Sequence, residues 1–129
     1  MIIGLGSDMV DVRRIARSIE RYGERFLGRI YTPAERAKAE NRANKIETYA
    51  KRFAAKEACS KALGTGFANG MWLRDAGVVH DPRGKPEIIF SPRGEQVCQS
   101  FGVSGGHITL SDEAGLIVAF AILMQAPSS

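Results

Sequence analysis

Apolar side chains at Val12, Ile15, Ala16, Ile19 and Tyr22 recur at the spacing of one helix face, with polar residues between them. Asp11 stands where a capping carboxylate belongs and Gly23 where the chain can leave a helix, so the pattern predicts a helix over residues 12–22. Before it, residues 2–8 read as a buried strand that ends at Asp8. Gly4 and Gly6 interrupt that strand, and glycines inside a strand mark a bulge or a close approach by another backbone. Residues 25–31 form a short connecting piece with apolar anchors. Thr32-Pro33-Ala34-Glu35 then opens a second helix as a capping box with proline at the first helical position, and this helix loosens around Asn41 and Asn44. A longer helix follows from near Lys45 to the glycine-rich turn Gly64-Thr65-Gly66.

After residue 66 the periodicity changes to strands and turns. Residues 72–80 and 86–91 flank Asp81-Pro82-Arg83-Gly84-Lys85, a turn-rich connection that predicts a hairpin. Ser91-Pro92 starts another helix, with Val97, Cys98 and Phe101 as its apolar contacts and Gly102 as its stop. Residues 107–111 and 116–124 read as two strands joined through Asp112-Glu113-Ala114-Gly115, a second hairpin, and a short tail follows from residue 126. The fold class expected is α+β: helices mostly in the first half, packed on a largely antiparallel sheet, in a single domain over residues 1–129.

Composition alters this picture little. A chain of 129 residues, 44% hydrophobic and 25% charged, is long enough for a real core and ordinary for a globular domain. The longest apolar run, residues 115–124, is too short to cross a membrane, and the N-terminus lacks the basic region of a signal peptide. No membrane partner is expected, and the cytoplasm is the expected location. Cys59 and Cys98 fall on separate predicted helices and suit buried small hydrophobes better than a disulfide. With only His80 and His107, the chain has no zinc-ligand spacing.

Charge changes the picture more. Residues 1–66 carry 14 Lys and Arg against 8 Asp and Glu, a balance of +6, whereas residues 67–129 carry 4 against 6, a balance of −2. An anionic partner is therefore expected for the first half. Arg13, Arg14, Arg17 and Arg21 share the side of the first helix opposite its core face, within an arc of about 100°. Arg25 and Arg29 extend the positive charge, and Glu20 interrupts it. Guanidinium groups bind carboxylate and phosphate in a bidentate way, which favours a binding surface over a merely solvated face.

The chemistry concentrates on the longest helix. Ile46, Tyr49, Phe53, Glu57 and Ser60 project within an arc of roughly 60°, so Glu57 is expected on the inward stripe with Lys61 one turn on. An ordinary i,i+4 ion pair, worth tenths of a kcal/mol, is one reading of Glu57 and Lys61. The other is a site: Asp8 from the strand and Glu57 from the helix converging as hard oxygen ligands for Mg²⁺. Lys61 and the glycine turn would then supply a phosphate environment. A paired-carboxylate hydrolase is a competing chemistry for the same two groups.

Two stretches resemble a known family. Gly6-Ser7-Asp8-Met9-Val10-Asp11-Val12-Arg13-Arg14 is similar to the N-terminal motif of the holo-[acyl-carrier-protein] synthases, small bacterial 4′-phosphopantetheinyl transferases. Arg52-Phe53-Ala54-Ala55-Lys56-Glu57-Ala58, with Ser60-Lys61-Ala62-Leu63-Gly64-Thr65-Gly66, resembles their second and most diagnostic motif. Residues 25–35, Gly84-Lys85-Pro86 and the closing pair of strands also fit, so the resemblance covers nearly the whole chain in order.

The resemblance implies a 4′-phosphopantetheinyl transferase-like fold and transfer of the 4′-phosphopantetheine arm of coenzyme A to a serine of apo-acyl carrier protein, releasing adenosine 3′,5′-bisphosphate. It implies Asp8 and Glu57 as Mg²⁺ ligands, and Asp8, Glu57 and Lys61 as the catalytic group. It implies coenzyme A contacts from Arg52, Lys61, Gly64, Thr65, Gly66 and His107. A structural hydrogen bond at a strand end is the other reading of His107. Arg13, Arg14, Arg17, Arg21 and Arg25 would receive the acidic carrier protein, and the family suggests a homotrimer with sites shared between neighbouring subunits. One departure stands out: many relatives have histidine where this chain has Asp112, so that histidine's role does not transfer.

The alternative class is a non-catalytic basic module for an acidic protein or nucleic acid. Nucleic-acid binding would add base-stacking aromatics or a recognised motif, and neither accompanies residues 13–25, so no nucleic-acid partner is expected.

Overall fold

The structure is a computed structural model that describes residues 1–64 and 71–126. Its first strand, β1 (Ile2–Asp11), leads directly into helix α1 (Val12–Tyr22), whose N-cap Asp11 accepts from the backbone N–H of Arg13. Three more helices follow: α2 (Glu24–Ile30), α3 (Pro33–Glu40) and α4 (Lys45–Leu63). A single 3-10 turn (Leu73–Asp75) precedes the hairpin of β2 (Ala76–His80) and β3 (Pro86–Phe90). Helix α5 (Pro92–Ser100) then leads to the closing hairpin of β4 (Gly105–Glu113) and β5 (Leu116–Met124).

The strands form two sheets, a three-stranded one in the order β1-β5-β4 and the two-stranded β2-β3, with every pairing antiparallel. On β5 burial alternates residue by residue. Ile117, Ala119, Ala121 and Leu123 are fully buried, while Leu116, Val118 and Phe120 face outward. α4 packs across this face of the sheet, and its Ala58 and Ala62 backbone lies against Gly6 and Gly4 of β1. Thirteen of its 19 residues are buried, from Tyr49 and Phe53 to the alanines, so α4 is enclosed nearly all round and forms the centre of the molecule.

The α+β expectation and the antiparallel pairing hold, and the bounds expected for α1 and β5 are those observed. The capping box of α3 is complete, with Thr32 and Glu35 each accepting from the other's backbone N–H. Several expectations need correction. β1 continues three residues past Asp8, because Met9, Val10 and Asp11 still pair with β5. Residues 25–31, expected as a connecting piece, fall almost wholly in α2: the positive φ of Gly23 breaks the helix line, and Leu27 buries the new segment. Residues 73–75 form a 3-10 turn rather than strand, since the Asp75 carboxylate accepts from the backbone N–H of Trp72. Tyr22, placed on the core face of α1, is half exposed beneath the Arg21 guanidinium. The closing hairpin turns on Ala114 and Gly115 alone, both at positive φ, so Asp112 and Glu113 belong to β4. That strand also begins two residues before His107.

Cys59 and Cys98 are buried free thiols, and burial pushes them up to about 12 and about 11. No helix among the described residues is long and apolar enough to cross a membrane.

Candidate active site

The two glycines of β1 set the geometry. A Cβ on Gly4 would run into the carbonyl oxygen of Ala62, and one on Gly6 into that of Ala58. The strand backbone therefore lies directly on α4, closer than any side chain would permit. Asp8 is two residues further along the same face of the strand, since side chains alternate with a period of two. It reaches the end of α4 that carries Glu57 and Lys61.

Lys61 Nζ donates to Asp8 Oδ1 at 3.0 Å, with the Asp8 side chain 14% exposed and that of Lys61 54% exposed. The i,i+4 pair that was one reading of Glu57 and Lys61 is not the one formed. Asp8 Oδ2 is buried and has no hydrogen-bond partner. Half-buried Glu57 titrates above its ordinary range: loss of hydration raises it, the Asp8 charge raises it further, and Lys61 and Arg14 offset part of the effect. Asp8 thus holds the Lys61 ammonium with one carboxylate oxygen unsatisfied, and Glu57 is near enough to feel both charges. Those hard oxygen donors fit a small divalent cation that keeps water or substrate oxygens in its remaining positions. Among the described residues no cluster of three or more His, Cys, Asp or Glu side chains forms.

The arginine side of α1 adjoins the carboxylates. The Arg14 guanidinium stacks over the Phe53 ring at 5.5 Å, one turn before Glu57 on α4. Arg14, Arg17 and Arg21 line a shallow depression with Ser18, Glu20 and Tyr22, and Arg25 is exposed at the start of α2. Arg13 is engaged locally, its Nε donating to both oxygens of Asp11 and its Nη2 to Oδ2, and it holds the Asp11 carboxyl down to about 2.

Other candidates fall elsewhere. Arg52 is buried and five residues before Glu57, so the two leave the helix in different directions. Its Nη1 donates to the Val78 carbonyl at 2.6 Å, and Nη2 lies 3.4 Å from His80 Nδ1. There it lines a basic cavity with Arg42, Lys51 and His80, and burial and the Arg52 charge together push His80 below its ordinary range. His107 is opposite Ile122 in β4, on the exposed face of the three-stranded sheet and away from α4. Gly64 ends α4 in the left-handed conformation at φ 80°, while Thr65 and Gly66 lie outside the described residues. Asp112 pairs with Lys51 at 2.8 Å, tying the end of β4 to α4.

Sequence reasoning passed over Lys56. Its side chain is fully buried and its ammonium meets Glu35 Oε1 at 2.7 Å and donates to the carbonyls of Leu73 and Ala76. Burial lowers its pKa and the Glu35 charge opposes that shift. Arg52 and Lys56, four residues apart, share one side of α4 and anchor β2 to it. The run of alanines around them was the available signal, because such a helix has no wet side on which to place a lysine.

A family model described as the 4′-phosphopantetheinyl transferase superfamily matches residues 4–121. The chain is 49% identical to a holo-[acyl-carrier-protein] synthase of Rhizobium leguminosarum bv. trifolii, covering 100% of this chain and 99% of the relative. The crystal structure of holo-[acyl-carrier-protein] synthase from Neisseria meningitidis superposes with a TM-score of 0.91 at 38% identity, covering 97% of this chain and 100% of that one. The Helicobacter pylori holo-[acyl-carrier-protein] synthase in complex with coenzyme A superposes with a TM-score of 0.79 at 28% identity, covering 93% and 99%.

Proposed function

The chain belongs to the 4′-phosphopantetheinyl transferase superfamily, and from that premise we propose that it catalyses the holo-[acyl-carrier-protein] synthase reaction. It transfers the 4′-phosphopantetheine group of coenzyme A to a serine of apo-acyl carrier protein, leaving adenosine 3′,5′-bisphosphate. The observation that carries this reading is the Asp8–Lys61 pair at the β1–α4 contact, with one Asp8 oxygen left unsatisfied and half-buried Glu57 within the influence of both charges.

Asp8 and Glu57 would hold Mg²⁺, which when bound supplies positive charge to the pyrophosphate of coenzyme A. Lys61 holds Asp8 in place through Oδ1 and presents its largely exposed ammonium to the same region, so its contribution is electrostatic. Gly64, at the C-terminal end of α4, would add a coenzyme A contact as the family resemblance implies. Arg52 serves the same ligand at a distance: its basic cavity suits another anionic part of so long a molecule. Arg14, Arg17, Arg21 and Arg25 receive the acidic carrier protein beside the carboxylates, with Arg13 contributing less because Asp11 engages it. The chain acts as one domain, in the cytoplasm, and its product serves fatty acid biosynthesis.

The outer face of the three-stranded sheet supports self-association. Leu5 and Met9 of β1 are 56% and 64% exposed, and Leu116, Val118 and Phe120 of β5 add to the same face. A contiguous apolar surface of this kind marks an interface, and a homotrimer would cover it. His107 lies on that face, so assembly would bring it to a subunit boundary and towards a neighbour's site.

The deciding experiment incubates the protein with coenzyme A, Mg²⁺ and apo-acyl carrier protein and weighs the carrier by mass spectrometry. The carrier should gain one phosphopantetheine group, and no gain with several carriers would refute the proposal. Arg17→Glu with Arg21→Glu should raise KM for the carrier at least tenfold while leaving KM for coenzyme A near wild type. An equal rise in both would remove these arginines from the carrier surface.

A further inference from the structure

The pair formed by Lys51 and Asp112 stands apart from the carboxylate site, and the resemblance leaves the role of Asp112 open. It adjoins the basic cavity of 280 Å³, where Arg42, Lys51 and Arg52 meet His80 of β2 and Leu110 of β4. Three cations line this space, and among the described residues no carboxylate does. His80, held below its ordinary range, adds no charge at neutral pH. Such walls favour an anion.

The three cations are held differently. Arg42 is exposed. Arg52 turns Nη1 to the Val78 carbonyl and Nη2 to His80, both neutral partners. Of the three, Lys51 is the one that carboxylates hold among the described residues: its Nζ lies 2.8 Å from Asp112 Oδ2 and 3.8 Å from Glu47 Oε1. Glu47 is a neighbour one turn away on α4, whereas Asp112 is brought in by β4. Leu110 lines the cavity, and Asp112 follows two residues later on the same face of the strand, so it reaches Lys51 from beside the cavity.

Both side chains are partly exposed, 35% for Lys51 and 43% for Asp112. An ion pair in that setting is weak, so a phosphate group entering the cavity can draw Lys51 away from Asp112. Asp112 then opposes the anion twice, by competing for the ammonium and by its own negative charge.

We propose that Asp112 sets the anion affinity of this cavity: it holds Lys51 while the cavity is empty and yields it to a phosphate group that enters. Asp112 is thus a positioning residue that acts through Lys51. The proposal rests on the transferase reading in its choice of ligand, adenosine 3′,5′-bisphosphate, the nucleotide that transfer leaves behind.

The nucleotide is titrated into the full chain by isothermal calorimetry at several salt concentrations. Asp112→Asn should bind it about three to ten times more tightly than the wild type, and the gain should shrink as salt is raised. Lys51→Ala should bind it more weakly, and in that background Asp112→Asn should bring a much smaller gain. A residue that only braced β4 against α4 would give the opposite sign, with weaker binding on its removal. Unchanged or weaker binding by Asp112→Asn, the same gain with and without Lys51, or a wild type that does not bind the nucleotide would each overturn the proposal. The carrier mass-shift assay on the same sample separates the two readings. Transfer by the wild type with no gain in Asp112→Asn sinks this inference alone, whereas absence of transfer sinks the transferase reading.

Discussion

Gly6→Ala tests whether the close contact between β1 and α4 builds the site. The added Cβ would stand 2.5 Å from the backbone nitrogen of Ala62 and drive into the carbonyl oxygen of Ala58. Both obstacles are helix backbone, which cannot rotate aside. An ordinary contact needs about 1 Å more, so the strand must retreat by about that distance from the helix. Overpacking of this kind costs about 1–3 kcal/mol or somewhat more. For a domain of this length each kcal/mol lowers Tm by roughly 4 °C, so a fall of about 4–12 °C is expected. The same retreat carries Asp8 away from Glu57 and Lys61, and a misplacement of about 1 Å can lower turnover about 100-fold. Thermal unfolding and the carrier mass-shift assay read the two effects on one protein sample. Gly28→Ala is the control: nothing lies within 4 Å of the position its Cβ would take, and alanine in the helical α2 should add about 0.5–1 kcal/mol of stability with turnover unchanged. A Gly6→Ala protein with wild-type Tm and turnover would refute the account of how Asp8 is positioned.

Glu57→Gln should abolish Mg²⁺-dependent transfer. Because the Glu57 carboxyl is raised in the folded protein, its stabilising contribution is full below its ordinary value of 4.5 and is lost as pH rises through the folded value. In EDTA, Glu57→Gln should therefore unfold at or above the wild-type temperature at pH 8, and the wild type should gain on it as pH falls towards 4.5; the opposite trend would contradict the burial argument. Lys56→Met leaves the buried Glu35 carboxylate without its cation and should cost about 3–5 kcal/mol by urea unfolding, with Glu35→Gln in the same chain restoring part of the loss. Additive losses in that double variant would show that the pair is not coupled. Phe120→Glu with Val118→Glu should convert the expected trimer to a smaller species by light scattering, and an unchanged mass would place the interface elsewhere.

Much of the fold was legible because its signals are local. The α1 periodicity between Asp11 and Gly23, the Thr32–Glu35 capping box and the β5 alternation each depend on residues a few positions apart. The misread stretches took their form from partners elsewhere in the chain. Residues 9–11 stay in β1 because β5 lies beside them, and α2 forms where a connection was expected because Leu27 finds a core to enter. Within the site, the sequence by itself supplied Asp8, Glu57, Lys61 and the glycines, and its motifs carried the family. Only the tertiary structure decided the partners. It gave Lys61 to Asp8 instead of Glu57, turned Arg52 towards Val78, closed Lys56 onto Glu35 and left Asp8 Oδ2 and Glu35 Oε2 unsatisfied. The physical reason is range: periodicity and capping act over one or two turns of chain, whereas a buried charge is settled by whichever distant group the packing brings within 3 Å.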